Sequence, residues 1–358
     1  MSVPEPFAIL FFLDPSIILG LSLSLGVIDK IIASCLPISP SSILASSICF
    51  FIFEKRFCFL SWLLSLFQSQ LKPQKETIVF EQPQKTIDWE LETIDVIIPT
   101  IGRKKYLYDV LKDLSGQIHL PKNVIIVEQI PNLDSDSELD YLTTEQWPFQ
   151  IKHVFTHQTG ACQARNKALD LLESNWCFFA DDDIRIEKDF FKQALFELIQ
   201  NVVSVGVFSC LKANDKKYYF HLSQTTIFGS GCSICKTSVV KHLKFNLDLE
   251  FGFGEDTEYG LQIRNYGVDV FYVPYPEILH LKAPIGGFRF KYIHPWENES
   301  IQPKPSPTIM YVKEKYSIKE QMLGYKLRLF LKTYQYKFWK VKEFEKQWKQ
   351  SKYWSAKL

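Results

Sequence analysis

Short apolar runs alternate with segments of helical apolar spacing between residues 93 and 180 of the 358-residue chain. The short runs predict buried strands, and the amphipathic segments predict helices. The predicted strands are Asp95–Pro99, Asn123–Val127, Ile151–Phe155 and Trp176–Ala180, and the predicted helices are Lys104–Leu114 and Gly160–Glu173. This alternation predicts an α/β fold with a mainly parallel central sheet. Ligands of such sheets bind beyond the carboxyl ends of the strands.

The first 70 residues follow a different pattern, in which charged side chains are rare. Ile31 to Phe53 is a run of 23 residues without a charge, and about 20 apolar residues suffice to cross a bilayer. Pro37 and Pro40 lie within this run and would kink a helix. We interpret residues 1–70 as an apolar, membrane-associated helical segment, with a buried helical region or a poorly ordered extension as the alternatives. The basic residues that follow favour a catalytic part on the cytoplasmic face of the cell membrane.

The rest of the chain divides into three parts. Residues 71–92 are polar and predict a linker, residues 93–300 form the predicted catalytic domain, and residues 301–358 predict a basic, aromatic, helical tail. From residue 311 onward the tail has 13 Lys and Arg against four Glu, with aromatic residues interleaved. Such a tail suits an anionic membrane surface or a lipid-linked phosphate acceptor. An amphipathic helix packed on the catalytic domain is the alternative.

Overall composition excludes several classes of protein. The chain has 41 Lys and Arg against 40 Asp and Glu, a net charge of +1, whereas a dedicated nucleic-acid-binding protein usually has a strong basic excess. Nucleic acid is therefore not an expected partner. Of the eight cysteines, Cys232 and Cys235 form one C-x-x-C pair, and a zinc ribbon needs two such pairs. The glycine-rich loops that cradle phosphates in P-loop and dinucleotide-binding proteins are missing from the sequence.

Three consecutive carboxylates, Asp181, Asp182 and Asp183, directly follow the last predicted strand. Alternate side chains of an extended chain share a face, so Asp181 and Asp183 point together while Asp182 turns away. Two oxygen ligands on one side suit a hard divalent cation such as Mg²⁺ or Mn²⁺. Such a cation would stabilise a diphosphate leaving group. The alternative is a solvated loop or a helix cap.

Two further segments contain candidate functional side chains. Thr159 is a predicted N-cap of the helix that contains Arg165, and Arg165 suits a phosphate or a strand-end carboxylate, with a surface position as the alternative. Glu255 and Asp256 follow a glycine-rich turn and lie in the first turn of a predicted helix. Asp256 is the candidate general base for an attacking hydroxyl. The alternative is that both carboxylates only cap the helix.

His280 is a candidate third metal ligand. It follows a predicted strand, Val268–Val273, and a predicted turn at Pro274 and Pro276. A neutral imidazole after a strand is a usable ligand for a divalent cation. A purely structural histidine is the alternative.

Taken in order, these stretches resemble a family-2 glycosyltransferase of the GT-A fold, over about residues 93–285. Seven stretches contribute to the resemblance: VIIPTIGR (Val96–Arg103), VIIVEQ (Val124–Gln129), TGACQARNKAL (Thr159–Leu169), FFADDDI (Phe178–Ile184), GSGCSICK (Gly229–Lys236), FGFGEDTEYGLQIRNYG (Phe251–Gly267) and the His280 region. Each motif alone is weak, but their shared order and spacing are specific. The resemblance implies a nucleotide-sugar donor.

The resemblance also implies roles for individual residues. The donor nucleotide would contact Pro99, Thr100, Arg103, Glu128, Arg165, Asp181 and Asp182. At the end of the second strand this sequence has Glu128-Gln129, where the family more often has two acidic residues. The metal would bind Asp181, Asp183 and His280, the catalytic pair would be Glu255 and Asp256, and the acceptor side would include Gly229, Gly231 and Cys232.

The expected reaction is an inverting displacement with an oxocarbenium-like transition state. The acceptor would be a glycan or a lipid-linked group, in the assembly of a cell-surface polysaccharide or glycolipid. Two alternatives stay open: a sugar nucleotidyltransferase, whose usual glycine-rich basic signature is missing at Ile98–Arg103, and a non-catalytic membrane scaffold, against which the intact acidic pairs argue.

Overall fold

A computed structural model describes residues 86–282, 292–335 and 337–358. Within these residues one sheet contains nine strands: β1 Ile94–Thr100, β2 Asn123–Gln129, β3 Gln150–Thr156, β4 Trp176–Ala180, β5 Ile184–Arg185, β6 Val205–Leu211, β7 Ser223–Gln224, β8 Cys232–Lys236 and β9 Phe271–His280. The strand order is β3-β2-β1-β4-β8-β6-β9-β5, and β7 pairs with β9 outside this path. The predicted N-terminal segment 1–70 and the linker up to residue 85 lie outside the described residues.

Parallel pairing dominates the sheet, as the sequence predicts. Strand β1 pairs in parallel with β2 and β4, β2 with β3, and β6 with β9. The antiparallel pairings involve β8 and the two-residue strands β5 and β7. This mixed α/β sheet confirms the expected fold class.

Helices cover both faces of the sheet. They are α1 Lys104–Ser115, α2 Tyr141–Thr144, α3 Ala161–Leu169, α4 Phe190–Gln200, α5 Thr237–Val240 and α6 Glu255–Asn265. Because successive strand residues point to opposite faces, neighbours such as Phe178 and Phe179 enter two different apolar clusters. Burial on both faces explains why the strands are continuous apolar runs rather than alternating ones.

Helix α3 is shorter than the sequence predicts. It ends at Leu169, whereas the apolar spacing predicts a helix to Glu173. The next residues form a turn in which the amides of Glu173 and Ser174 donate to Asp95 Oδ2, at 2.7 and 3.0 Å. The Ser174 hydroxyl donates to Asp95 Oδ1 at 2.6 Å. Asp95 is fully buried in β1, so this long-range contact sets the end of the helix.

Strand β9 differs from its prediction. The sequence predicts a strand at Val268–Val273 followed by a turn, but β9 begins at Phe271 and continues through both prolines to His280. Its register with β6 shifts between Phe208 and Cys210. Such an irregularity accommodates prolines, which cannot donate a hydrogen bond to the ladder. His280 is therefore the last residue of a strand and lies opposite Ile184 of β5.

The C-terminal part is helical, as predicted. It contains α7 Pro307–Tyr316, α8 Lys319–Tyr334 and α9 Val341–Ser355. Met310, Phe330, Phe344 and Trp348 form a buried cluster among these helices. Among the helices of the described residues, none combines the length and the apolar character that a membrane crossing requires.

Candidate active site

The candidate site lies beyond the carboxyl ends of β1 and β4, which are parallel neighbours. Thr100 ends β1, and its hydroxyl donates to Asp182 Oδ2 at 2.7 Å. Arg103 follows β1, and its guanidinium lies 2.6 Å from Asp182 Oδ1 and 3.3 Å from Asp183 Oδ2. Thr100 and Arg103 thus both bind Asp182, and the resemblance places all three residues at the donor nucleotide.

Asp182 is almost fully buried. Burial raises the pKa of this carboxyl to about 6, although the Arg103 guanidinium and the Thr100 hydroxyl act in the opposite direction. Asp182 therefore anchors Arg103 and fixes the loop after β4. Asp182 is not one of the three residues of the candidate metal-ligand group, Asp181, Asp183 and His280.

Asp181, Asp183 and His280 form a candidate metal centre. Each offers one ligand atom, and these atoms lie within 4.8 Å of one another. His280 Nε2 is 3.4 Å from Asp183 Oδ1, and the amide of Leu281 donates to the Asp183 carbonyl at 2.8 Å. The pairing of β5 with β9 thus brings together groups separated by about 100 residues of sequence. Two carboxylates and an imidazole fit Mn²⁺ or Mg²⁺ and leave coordination positions for phosphate oxygens.

Arg165 projects from α3 toward the same place. Its side chain is buried, and its guanidinium lies 3.4 Å from Asp181 Oδ1 and over the Phe245 ring. The surface position left open by the sequence is therefore wrong. Arg165 Nε is buried and lacks a hydrogen-bond partner within the described part of the chain. Because an unpaired buried donor is costly, an anionic ligand would be favoured beside it.

Asp256 lies in the first turn of α6, after Gly254, whose φ of 110° begins the helix. Burial raises the pKa of Asp256 to about 6, and Arg165 and Ser230 oppose the rise. Its Oδ1 is buried without a hydrogen-bond partner among the described residues. A half-buried carboxylate with a free oxygen and a pKa near neutrality has the properties of a general base. Glu255 precedes it and is also partly buried.

Gly231 of the GSGC stretch lies against Asp181 of the candidate metal centre, whereas Gly229 lies against Cys232. A Cβ on Gly231 would overlap the Asp181 carboxylate, and a Cβ on Gly229 would approach Cys232 Sγ to 2.5 Å. Cys232 begins β8 opposite Ala180. A hydrogen bond with Cys210 and burial raise the pKa of the Cys232 thiol far above its usual value. Gly231 therefore lines the Asp181 side of the site, Gly229 and Cys232 pack against each other, and Cys232 is a neutral thiol.

Glu128 and Pro99, which the resemblance also places at the donor nucleotide, are buried. Glu128 is buried, and its carboxylate accepts hydrogen bonds from Ser137 Oγ, His153 Nε2 and the amide of Glu138, at 2.5, 2.9 and 3.0 Å. Although burial alone would raise its pKa, the bonds from His153 and Ser137 lower it. Pro99 is buried within β1, in register with Val127. Glu128 organises the loop after β2, and its contact with the base or ribose stays a prediction.

Glu250 is a site residue that sequence reasoning missed. Its carboxylate accepts from the amides of Cys162 and Gln163, both at 2.8 Å, at the N-terminus of α3. The N-cap position is Gly160, not the predicted Thr159. A Cβ on Gly160 would overlap the Glu250 side chain. Glu250 comes from a segment almost 90 residues away, so no local sequence signal identifies it.

The mixed α/β sheet with acidic groups at its strand ends has the architecture expected of the GT-A fold. Residues 95–253 match the model of glycosyl transferase family 2. This confirms the resemblance of the sequence motifs.

Similar proteins include a glycosyltransferase and several solved structures. Glycosyltransferase GlyA of Streptococcus pneumoniae serotype 4 is 25% identical over 134 residues, which cover 37% of this chain and 19% of GlyA. The chain thus matches about a fifth of the length of this curated relative. The S. aureus TarS 1–349 complex with UDP-GlcNAc is 17% identical with a TM-score of 0.49, over 67% of this chain and 73% of TarS 1–349. Mannosyltransferase PcManGT of Pyrobaculum calidifontis, in complex with GDP-Man and Mn²⁺, is 18% identical with a TM-score of 0.45, over 64% of this chain and 66% of PcManGT.

Proposed function

We propose that the protein is an inverting, metal-dependent glycosyltransferase that moves a sugar from a nucleotide-sugar donor to an acceptor hydroxyl. The observation that carries this proposal is the free, buried Oδ1 of Asp256, which belongs to a carboxyl with a pKa of about 6. A structural cap would have its oxygens bonded to backbone amides, as Glu250 has. The Asp256 carboxylate retains an acceptor position for the hydroxyl proton.

The donor diphosphate would lie between Arg165 and the candidate metal centre. Asp181, Asp183 and His280 would hold Mg²⁺ or Mn²⁺, which when bound supplies positive charge that stabilises a leaving diphosphate. Arg165 supports the same role, because its unpaired Nε and its proximity to Asp181 favour a phosphate oxygen beside it. Arg103 neutralises Asp182 and Asp183, so that their charges do not repel the donor.

Asp256 would then act on the acceptor. It accepts the proton of the attacking hydroxyl while that oxygen bonds to the anomeric carbon, and the bond from that carbon to the diphosphate oxygen breaks. One base suffices, because the leaving diphosphate needs charge neutralisation rather than a proton. Attack from the face opposite the nucleotide inverts the configuration.

The acceptor is proposed to be a glycan or a lipid-linked group at the cytoplasmic face of the cell membrane. The charge-poor residues 1–70 and the net charge of +9 in residues 311–358 support this location. Assembly of a cell-surface polysaccharide or glycolipid follows from such a location.

The test is a screen of nucleotide sugars for Mn²⁺-dependent release of nucleoside diphosphate and for transfer to lipid-linked acceptors. The wild-type chain should process at least one donor, Asp256→Asn should lose transfer but still bind nucleotide, and Asp248→Asn should behave as wild type. Asp248 is an exposed aspartate in the neighbouring segment and serves as the matched control. Release of pyrophosphate from a nucleoside triphosphate and a sugar phosphate would instead identify a nucleotidyltransferase. Failure to bind any donor would favour a scaffold.

A further inference from the structure

The connection between α8 and α9 exposes large apolar side chains beside lysines. We call residues 337–342 the hairpin tip. Phe338 is 63% exposed, Trp339 76% and Val341 41%. Lys337 and Lys342 are exposed in the same segment, and Lys340 is partly exposed and pairs with Glu343 at 2.5 Å. Contiguous exposed apolar side chains of this size mark an interaction site.

The hairpin tip rests on a well-packed base. Phe330 of α8 and Phe344 of α9 are almost fully buried, and their ring centroids are 5.4 Å apart. The Phe338 centroid lies 6.2 Å from that of Phe330, so one part of the tip touches the base while Trp339 faces solvent. The short 3₁₀ helix Phe338–Lys340 holds this arrangement. The apolar side chains are therefore presented by an ordered element rather than by a fraying end.

Charge around the tip is mainly positive, and Glu343 and Glu345 on α9 pair with Lys340 and Lys326. Residues 311–358 have a net charge of +9, whereas the whole chain has +1. Lys346 and Lys349 continue an exposed basic row along α9. An indole is favoured at the boundary between water and lipid, and lysines are attracted to anionic headgroups. Phenylalanine and valine gain from contact with acyl chains.

We propose that the hairpin tip docks the protein on an anionic phospholipid bilayer, with Phe338, Trp339 and Val341 entering the interface and Lys337 and Lys342 contacting headgroups. This inference deepens the membrane location proposed above and names the surface that makes the contact. Charge complementarity selects the occupant, because an apolar tip alone would suit any hydrophobic partner. The apolar side chains would also insert the tip into the bilayer interface, which electrostatic attraction between lysines and headgroups alone would not do.

Vesicle binding by the full-length chain tests the docking surface. Sedimentation with vesicles containing about 30% phosphatidylglycerol should exceed sedimentation with pure phosphatidylcholine. Combined Phe338→Ser and Trp339→Ser substitutions should weaken the anionic-vesicle affinity at least tenfold. The pair Lys337→Glu and Lys342→Glu should weaken it by a similar factor, because each lysine near the surface contributes about fivefold. The matched controls, Tyr218→Ser with Phe220→Ser and Lys212→Glu with Lys216→Glu, replace exposed residues of the catalytic domain and should bind as wild type.

Depth of insertion gives a second measurement. Brominated lipids should quench the tryptophan fluorescence of a Trp62→Phe variant, which lacks the tryptophan of the apolar segment 1–70, and adding Trp339→Phe should remove most of that quenching while leaving the affinity nearly unchanged. Unchanged anionic-vesicle binding by both tip variants would overturn the proposal. So would loss of single-stranded RNA binding in the tip variants without loss of vesicle binding.

The outcome is separable from that of the proposed reaction. Asp256→Asn should bind vesicles as wild type, and the tip variants should release nucleoside diphosphate from the donor at the wild-type rate in the absence of vesicles. Docking without sugar transfer would contradict the proposed reaction alone, and transfer without tip-dependent docking would contradict the docking surface alone.

Discussion

Lys315 Nζ lies 2.9 Å from Glu258 Oε1, and this ion pair joins α7 to the helix that begins with Glu255 and Asp256, the proposed catalytic pair. The Glu258 side chain is fully buried, whereas Lys315 is 43% exposed. The Tyr316 hydroxyl donates to the same Oε1 at 2.6 Å. The Phe253 amide donates to Thr308 Oγ1 at 3.2 Å, also on α7. The first helix of the basic tail, α7, thus packs against the helix and the preceding loop that position the candidate base Asp256.

Removing the Lys315 ammonium from its ion pair with Glu258 should destabilise the fold around α6. Lys315→Met leaves the Glu258 charge buried with only the Tyr316 and Gln262 hydrogen bonds. We expect a loss of about 2 kcal/mol, less than for a fully buried pair because Lys315 is partly in water. Urea denaturation measures the loss. The double variant with Glu258→Gln should recover part of it, and equal stability of single and double variants would contradict a role of the buried charge.

The pKa of Asp256, raised to about 6 by burial, predicts the pH dependence of the rate. Proton acceptance requires the ionised carboxylate, so kcat should rise with pH through about 6 and become constant above 7. Initial rates at saturating donor over pH 4.5–8.5 would show this limb. A rate that is flat down to pH 5 would contradict the assignment of the base.

The raised pKa of Asp256 also predicts that the folded protein becomes less stable as the pH rises, whereas the reaction rate increases. In the unfolded chain the carboxyl ionises near its ordinary value of 3.8, so the folded state bears the cost of a buried charge as the pH rises through about 6. Asp256→Asn should therefore stabilise the protein at pH 8, by up to about 3 kcal/mol, and should have little effect below pH 4. Thermal melts of the wild type and of Asp256→Asn at pH 4 and pH 8 measure this difference in stability. A variant less stable than the wild type at pH 8 would indicate that the Asp256 carboxylate has a structural partner.

Gly231→Ala should disturb the metal centre. The new Cβ would overlap the Asp181 carboxylate, which must move away from Asp183 and His280. We expect the Mn²⁺ concentration for half-maximal activity to rise at least tenfold. Gly116→Ala is the control, because its Cβ would meet neighbouring atoms only at 3.6 Å or more. A normal Mn²⁺ titration in Gly231→Ala would remove Asp181 from the ligand set.

Asp183→Ala and His280→Ala test the other two candidate ligands. Each should weaken the metal-dependent part of donor binding, and Asp183→Ala should have the larger effect, because a buried carboxylate contributes charge that a neutral imidazole does not. Nucleotide binding measured by calorimetry with Mn²⁺ and with EDTA separates the two parts. If neither variant changes the difference between the two conditions, the metal is bound elsewhere.

Glu250→Ala should affect the donor through α3. It removes the acceptor for two amides at the N-terminus of the helix that contains Arg165, which costs about 1 kcal/mol. We expect the donor KM to rise while the pH profile of kcat keeps its shape. Glu250→Gln retains an acceptor oxygen and should recover most of the affinity. Equal KM values for both variants would indicate that the charge of Glu250, not its hydrogen bonds, matters.

Local patterns predicted the parts of the fold that short-range physics decides. Strand β4 begins and ends where its apolar run does, at Trp176 and Ala180. The acidic cluster was identifiable because three carboxylates directly after a buried strand are unfavourable without a counter-charge. The pairing of Asp182 with Thr100 and Arg103 was not, because it depends on the packing of two strands about 80 residues apart.

Longer-range contacts explain the remaining differences. The end of α3 depends on Asp95, its N-cap on Glu250, and the extent of β9 on an irregular register with β6. The sequence predicts that the tail is helical, but it leaves open whether the tail packs on the catalytic domain or binds a membrane surface. The amphipathic sequence of α7 is compatible with two partners, a lipid surface or the loop beside Asp256. Apolar and basic side chains can contact either partner, so the sequence pattern alone does not decide between them.

The link between Glu258 and α7 also has a consequence for biosynthesis. Glu258 leaves the ribosome 57 residues before its cation partner Lys315. During that interval the nascent chain already contains both acidic motifs, Asp181–Asp183 and Glu255–Asp256, but the helix that contains Asp256 lacks its contacts with α7. A product terminated before α7 would therefore contain the proposed base without the ion pair between Glu258 and Lys315 that joins its helix to α7. The proposed sugar transfer would therefore begin only after α7 has been synthesised, although the side chains proposed for catalysis precede it in the sequence.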